Sequence, residues 1–105
     1  MEFLIAEDGY PALDIDHRRH VLADFLRGDV QADISCTNEH IALCELVGSG
    51  QLPEWEGTGS AYTVTIKLDC VEIFNEYTEE SLIISNINEF KSYLEQWKEL
   101  ILSRN

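Results

Sequence analysis

Basic residues are the scarcest chemistry in this chain. Seven Lys and Arg stand against 20 Asp and Glu in 105 residues, a formal net charge of −13 with the histidines neutral. Nucleic acid and anionic lipid are both bound through Lys and Arg placed near phosphates, so direct binding of either is not expected. Cysteine is also sparse. Cys36, Cys44 and Cys70 form no CxxC pair, and an odd count suits reduced thiols in a cytoplasm better than a disulfide framework. No stretch approaches the ~18 apolar residues that span a bilayer. The opening MEFLIAEDGY has an acid and no basic flank before its short apolar run, which argues against a secretory leader. Together these absences point to a cytoplasmic chain away from membranes. No internal repeat, linker or low-complexity segment breaks it, so residues 1–105 read as a single domain with one modest core.

What is present fits a globular protein: 45% apolar and 26% charged residues. The acids are unevenly placed. Between Gly28 and Phe90 lie twelve acids and one base, Lys67, so this span carries eleven of the thirteen excess negative charges. Such a surface attracts basic proteins and speeds their encounter. Its plainer use is to keep a small protein soluble.

Periodicity gives the elements. EFLIAEDGYPALDI reads as a hairpin of Glu2–Glu7 and Tyr10–Ile15 turning at Asp8-Gly9, with Pro11 marking an edge strand. DHRRHVLADFLRG switches to helical spacing, with Asp16 as cap and Gly28 as stop. A second helix is firm over about 37–47, with Asp29, Asp33 and Thr37 all open as its cap and Gly48-Ser49-Gly50 ending it. Tyr62, Val64, Ile66 and Leu68 alternate with Thr63, Thr65 and Lys67, the cleanest strand in the chain. A turn at Asp69-Cys70, a strand through Val71, Ile73 and Phe74, and a short strand Ser81–Ser85 follow. Asn86 and Glu89 have capping-box spacing, and Phe90, Leu94, Trp97 and Ile101 form one face of a closing helix. Lys98 and Arg104 near its end suit the helix dipole. The expected fold is α+β in the order ββ-αα-βββ-α, an antiparallel sheet of about five short strands with three helices packed on it.

Candidate chemistry is thin. In QLPEWEGTGSAYTVTIKLDCVEIF the glycines precede a strand, whereas a phosphate cradle follows a strand and opens a helix. The expected role of Gly57 and Gly59 is a bend or bulge with positive φ leading into the strand. Trp55 is expected either to lie over the sheet edge or to anchor a partner. His17 and His20 share a helical face but flank Arg18 and Arg19, and neither they nor His40 and the cysteines have zinc spacing. Cys44 belongs to the core, and Asp69 would raise rather than lower the Cys70 pKa. No catalytic constellation, cofactor motif or metal site emerges, so the chain does not read as an enzyme. What remains is the acidic run. Asp69, Glu72, Glu76, Glu79 and Glu80 meet no base before Lys91, and with Trp55 they are the candidate partner-binding residues.

EWEGTGSAYTVTI, a hairpin with an acidic end, ESLIIS and the closing EFKSYLEQWKELI together resemble the small bacterial immunity proteins of contact-dependent growth-inhibition and related polymorphic-toxin systems. EFLIAEDG and the segment around DFLRGDV fit that layout too, so the resemblance covers nearly the whole chain. A family of short uncharacterised bacterial cytoplasmic proteins has a similar layout. The resemblance implies a cytoplasmic protein that binds and neutralises a cognate toxin domain, often a nuclease. The acidic residues named above come from the charge pattern and not from the resemblance. The alternative is a cytoplasmic housekeeping protein, a homodimer for instance, with no toxin partner and acidity that serves solubility alone. A small hydrolase or metal enzyme is a third class, for which the sequence offers no motif.

Overall fold

The computed structural model describes residues 1–103. Strands β1 (Glu2–Ile5) and β2 (Pro11–Asp14) form a separate antiparallel hairpin, with Phe3 opposite Leu13 and Ile5 opposite Pro11. Gly9 at φ 83° makes its turn, and Asp8 accepts from the Tyr10 N–H at 3.1 Å, as the Asp-Gly pair requires. Asp16 caps a 3-10 turn over His17–Arg19 that leads into α1 (His20–Phe25). The helix does not stop at Gly28. A π-helical turn over Leu26–Val30 carries it on, and the chain reverses at Gln31 with φ 58°. Three bonds hold that unusual backbone. The Gln31 N–H donates to Leu26 at 2.7 Å, its side chain donates to the Gly28 carbonyl at 2.8 Å, and its own carbonyl accepts from Trp97 Nε1 at 2.8 Å.

Helix α2 (Ile34–Gly48) starts three residues before its expected firm part. Asp33 is the cap, accepting from the Cys36 N–H at 3.1 Å. Strands β3 (Glu54–Thr58), β4 (Tyr62–Lys67), β5 (Val71–Asn75) and β6 (Ser81–Ile84) form one antiparallel sheet in sequential order. Helix α3 (Ile87–Ser103) closes the fold. The α+β class and the order of elements are as expected, but the strands among the described residues number six, in sheets of two and four.

The extra strand is EWEGT. Trp55 and Gly57 alternate with exposed Glu54, Glu56 and Thr58, so the segment is amphipathic, and it pairs with β4 from Glu54 opposite Lys67 to Thr58 opposite Thr63. Gly57 is therefore a strand residue, Gly59 lies in the β3–β4 loop, and neither has the expected positive φ. They provide room. A Cβ on Gly57 would stand 2.4 Å from the Trp55 indole, and one on Gly59 would stand 2.7 Å from Asp29 Oδ2. The capping box is half formed. Asn86 accepts from the Asn88 N–H at 2.8 Å, but the Glu89 carboxylate turns to Tyr93 Oη at 2.6 Å and Arg19 at 3.3 Å. Arg104 lies outside the described residues.

The three helices cover the sheet face formed by Tyr62, Val64, Ile66, Val71, Ile73 and Ile84. Leu22, Phe25 and Leu26 of α1 and its extension meet them there, with Phe90, Leu94 and Trp97 of α3, all buried. Each such aliphatic or Phe side chain contributes about 1.5–3 kcal/mol. No helix among the described residues is long and apolar enough to cross a membrane.

Candidate functional site

The other face of the four-stranded sheet follows from the register. It carries Glu54, Glu56 and Thr58 on β3, Thr63, Thr65 and Lys67 on β4, Glu72 and Phe74 on β5, and Ser81 and Ile83 on β6. Glu56, Thr65, Glu72 and Ile83 line up across the four strands. Threonine hydroxyls hold two carboxylates in place. Thr65 donates to Glu56 at 3.2 Å, and Thr63 donates to Glu76 just beyond the end of β5. A hydroxyl fixes a carboxylate without neutralising it. Phe74 is half-buried and Ile83 is 63% exposed on the same face, so it combines fixed negative charge with apolar surface.

The acidic run does not form one patch. Asp69 lies in the β4–β5 turn, whereas Glu76, Glu79 and Glu80 lie in the β5–β6 turn at the opposite end of β5. A five-residue strand separates the two ends by roughly 17 Å. Glu72 sits between them on the uncovered face. The β5–β6 turn is ordered by Asn75, whose side chain accepts from the Tyr77 and Thr78 N–H groups at 2.8 and 3.0 Å. It presents Tyr77, 79% exposed, among the glutamates.

One of these acids has a basic partner from another element. Glu80 Oε2 lies 2.8 Å from His20 Nε2, and Asp24 Oδ2 lies 2.9 Å from His20 Nδ1. The expectation that no base answers the run before Lys91 is thereby corrected, since His20 faces it across 60 residues of sequence. Hydrogen bonds to Asp24 and then Glu80 raise the His20 pKa, and the bond from His20 holds Glu80 below the usual carboxylate range.

Trp55 points to the helix-covered side, away from Glu72. It meets His40 of α2 edge-to-face at 5.9 Å. Here the π-helical turn, the start of α2 and the edge strand enclose a cleft of about 200 Å³. Cys36 and His40 both line it, with Sγ 3.7 Å from Nδ1. They do not make a nucleophile pair. His40 Nδ1 lies 2.8 Å from the Cys36 carbonyl, so it carries its proton there and cannot accept one from the thiol. Burial, then Asp33, Glu39 and Asp29, push the Cys36 thiol up, the wrong direction for a thiolate. Burial lifts Cys44 to about 12, and burial, then Asp69, lifts Cys70 in the direction expected.

Asp29 ties the cleft together. Its Oδ1 accepts from the Ala61 N–H at 3.1 Å and its Oδ2 from the Tyr62 N–H at 3.0 Å. The sequence offers Asp29 only as a cap candidate, because its partners Ala61 and Tyr62 lie 32 and 33 residues away. Tyr77 had a readable signal, an aromatic residue inside the acidic EYTEE. No group of three or more His, Cys, Asp or Glu suited to a metal occurs among the described residues. No family model, curated protein or solved structure matches this chain.

Proposed function

We propose that this chain is an immunity protein that binds and neutralises a cognate toxin domain, a basic nuclease, through its acidic surface. The observation that carries the reading is the uncovered sheet face and its β5–β6 end, where hydroxyls hold Glu56 and Glu76 and, of the acids there, Glu80 alone has an ion pair among the described residues, with His20. A nuclease is basic around its active site because it must hold phosphates. Carboxylates presented to that field occupy the places of phosphates, and steering lifts association above ~10⁶ M⁻¹s⁻¹. Phe74, Ile83 and Tyr77 supply apolar contact beside the charge. The layout resemblance described above points the same way.

The test is growth rescue. The genomic neighbourhood is searched for a toxin-like coding region, which is expressed with and without the chain, and rescue with 1:1 co-purification is the expected result. A Glu72→Lys, Glu76→Lys, Glu79→Lys triple variant should slow association by about tenfold or more at low salt. Glu80 is left intact because it serves the His20 pair. No rescue despite soluble expression would overturn the proposal and favour the housekeeping alternative.

A further inference from the structure

We propose that the cleft between the start of α2 and the edge strand β3 receives a guanidinium group, the side-chain head of an exposed arginine on the basic partner. The source of that arginine rests on the toxin-neutralising reading, whereas the chemistry of the cleft is its own. The walls are aromatic: Trp55 and His40 meet edge-to-face, and Phe25 lies 5.9 Å from His40 and 5.8 Å from Tyr62. Two carboxylates, Asp29 and Glu39, complete the lining, which contains no Lys or Arg. A planar guanidinium is the cation that stacks on aromatic faces and also donates in a fork to carboxylates. Asp29 Oδ2 accepts from Tyr62 at 3.0 Å and from Ala61 at 3.4 Å, whereas Oδ1 accepts from Ala61 alone at 3.1 Å, which leaves a lone pair on Oδ1 for a further donor. The Cys36 carbonyl fixes the His40 ring by accepting from Nδ1 at 2.8 Å, which leaves Nε2 free of that bond.

Size narrows the occupant. About 200 Å³ lies below the ~300 Å³ at which pockets begin to hold drug-sized ligands, so the cleft fits a side-chain head better than a nucleotide. An anion is excluded by the two carboxylates. A purely apolar group would leave them without a donor. The site is also preorganised, because Gly57 lets the Trp55 indole lie flat against its own strand and Gly59 lets Asp29 approach the β3–β4 loop.

The experiment titrates the ¹⁵N-labelled full chain with ethylguanidinium, ethylammonium and ethylurea, following the Trp55 indole N–H and the Gly57 and Gly59 amides. Saturable shifts in the millimolar range are expected with ethylguanidinium, weaker ones with ethylammonium and none with ethylurea. Glu39→Gln, on an exposed part of α2, should weaken ethylguanidinium binding about threefold to tenfold. Shifts that do not saturate, that ethylurea reproduces, or that fall away from the cleft would overturn the proposal. The second arm uses the toxin complex. Glu39→Gln and Trp55→Leu should both speed its dissociation. A complex indifferent to both would refute arginine docking while leaving toxin binding intact. Saturable ethylguanidinium binding with no toxin complex would overturn the partner as source and the toxin-neutralising reading, but not the selectivity of the cleft.

Discussion

Gly59→Ala should destabilise the native chain and stabilise one that carries Asp29→Ala. The added Cβ would stand 2.7 Å from Asp29 Oδ2 and 3.3 Å from its Cγ, so the carboxylate must move. It is not free to do so, because it accepts from Ala61 at 3.1 Å and from Tyr62 at 3.0 Å. A hydrogen bond to a charged group is worth about 1.5–3 kcal/mol, and a partial loss costs about 1–2 kcal/mol. Against this, Gly→Ala at a permissive backbone gains about 0.4–1 kcal/mol by restricting the unfolded chain. Gly59 is permissive, since its φ is not positive. The net cost is about 1 kcal/mol, a fall in Tm of several degrees for a domain of this size. In Asp29→Ala the nearest of those three atoms to remain is the Cβ at 3.8 Å, an ordinary contact, so the same change should raise Tm by a few degrees. Urea and thermal unfolding of the four proteins close a double-mutant cycle with a coupling of about 1–2 kcal/mol. A Gly59→Ala effect of equal sign and size in both backgrounds would refute the argument that this glycine exists to admit Asp29.

Three further outcomes are expected. The His20–Glu80 pair joins a raised imidazole to a lowered carboxylate. The Glu80 contribution is present above the usual carboxylate pKa and lost as pH falls through its lowered value. The His20 contribution is full below its unfolded pKa near ~6.5 and lost as pH rises through its raised value. Stability should therefore decline in the native chain as pH rises from about 6.5 through the raised His20 value, and His20→Gln should flatten that decline in urea midpoints; an unchanged slope would count against the pair. Trp97→Phe should cost about 2–3 kcal/mol, because it opens a cavity in the core and removes the donor to the Gln31 carbonyl, with faster amide exchange at Gln31 as the local readout. With a thiol reagent at pH 8, Cys44 should stay unmodified until unfolding, given its pKa of about 12, and Cys36 should react more slowly than a free thiol. Fast labelling of Cys36 would revive the Cys36–His40 pair as chemistry.

The helices and most strands were legible because their signals are local. The Tyr62–Lys67 alternation survives as β4, and the Phe90, Leu94, Trp97, Ile101 spacing survives as the buried face of α3. Asp8-Gly9 and Asp16 act through groups two residues away, so their turn and cap could be read directly. The β3 strand was not legible as such. Gly57 breaks its apolar alternation, and the reason a glycine stands there is the ring of Trp55 once the segment is extended. Gly28 was misread as a stop because the π-helical turn is held by bonds at Gln31, one of them from α3.

Composition alone decided the sign and size of the charge, and residue order the absence of a CxxC pair and of a long apolar run. Tertiary structure decided which acids stand together, which are answered and what encloses the cleft. The Asp29–Tyr62, His20–Glu80 and Trp97–Gln31 bonds span 33, 60 and 66 residues. Turn chemistry and periodicity act over a few residues, so they place each side chain on a face of its own element. Which two faces meet is set by burying the apolar sides of all the elements at once, and that is a property of the whole packed chain.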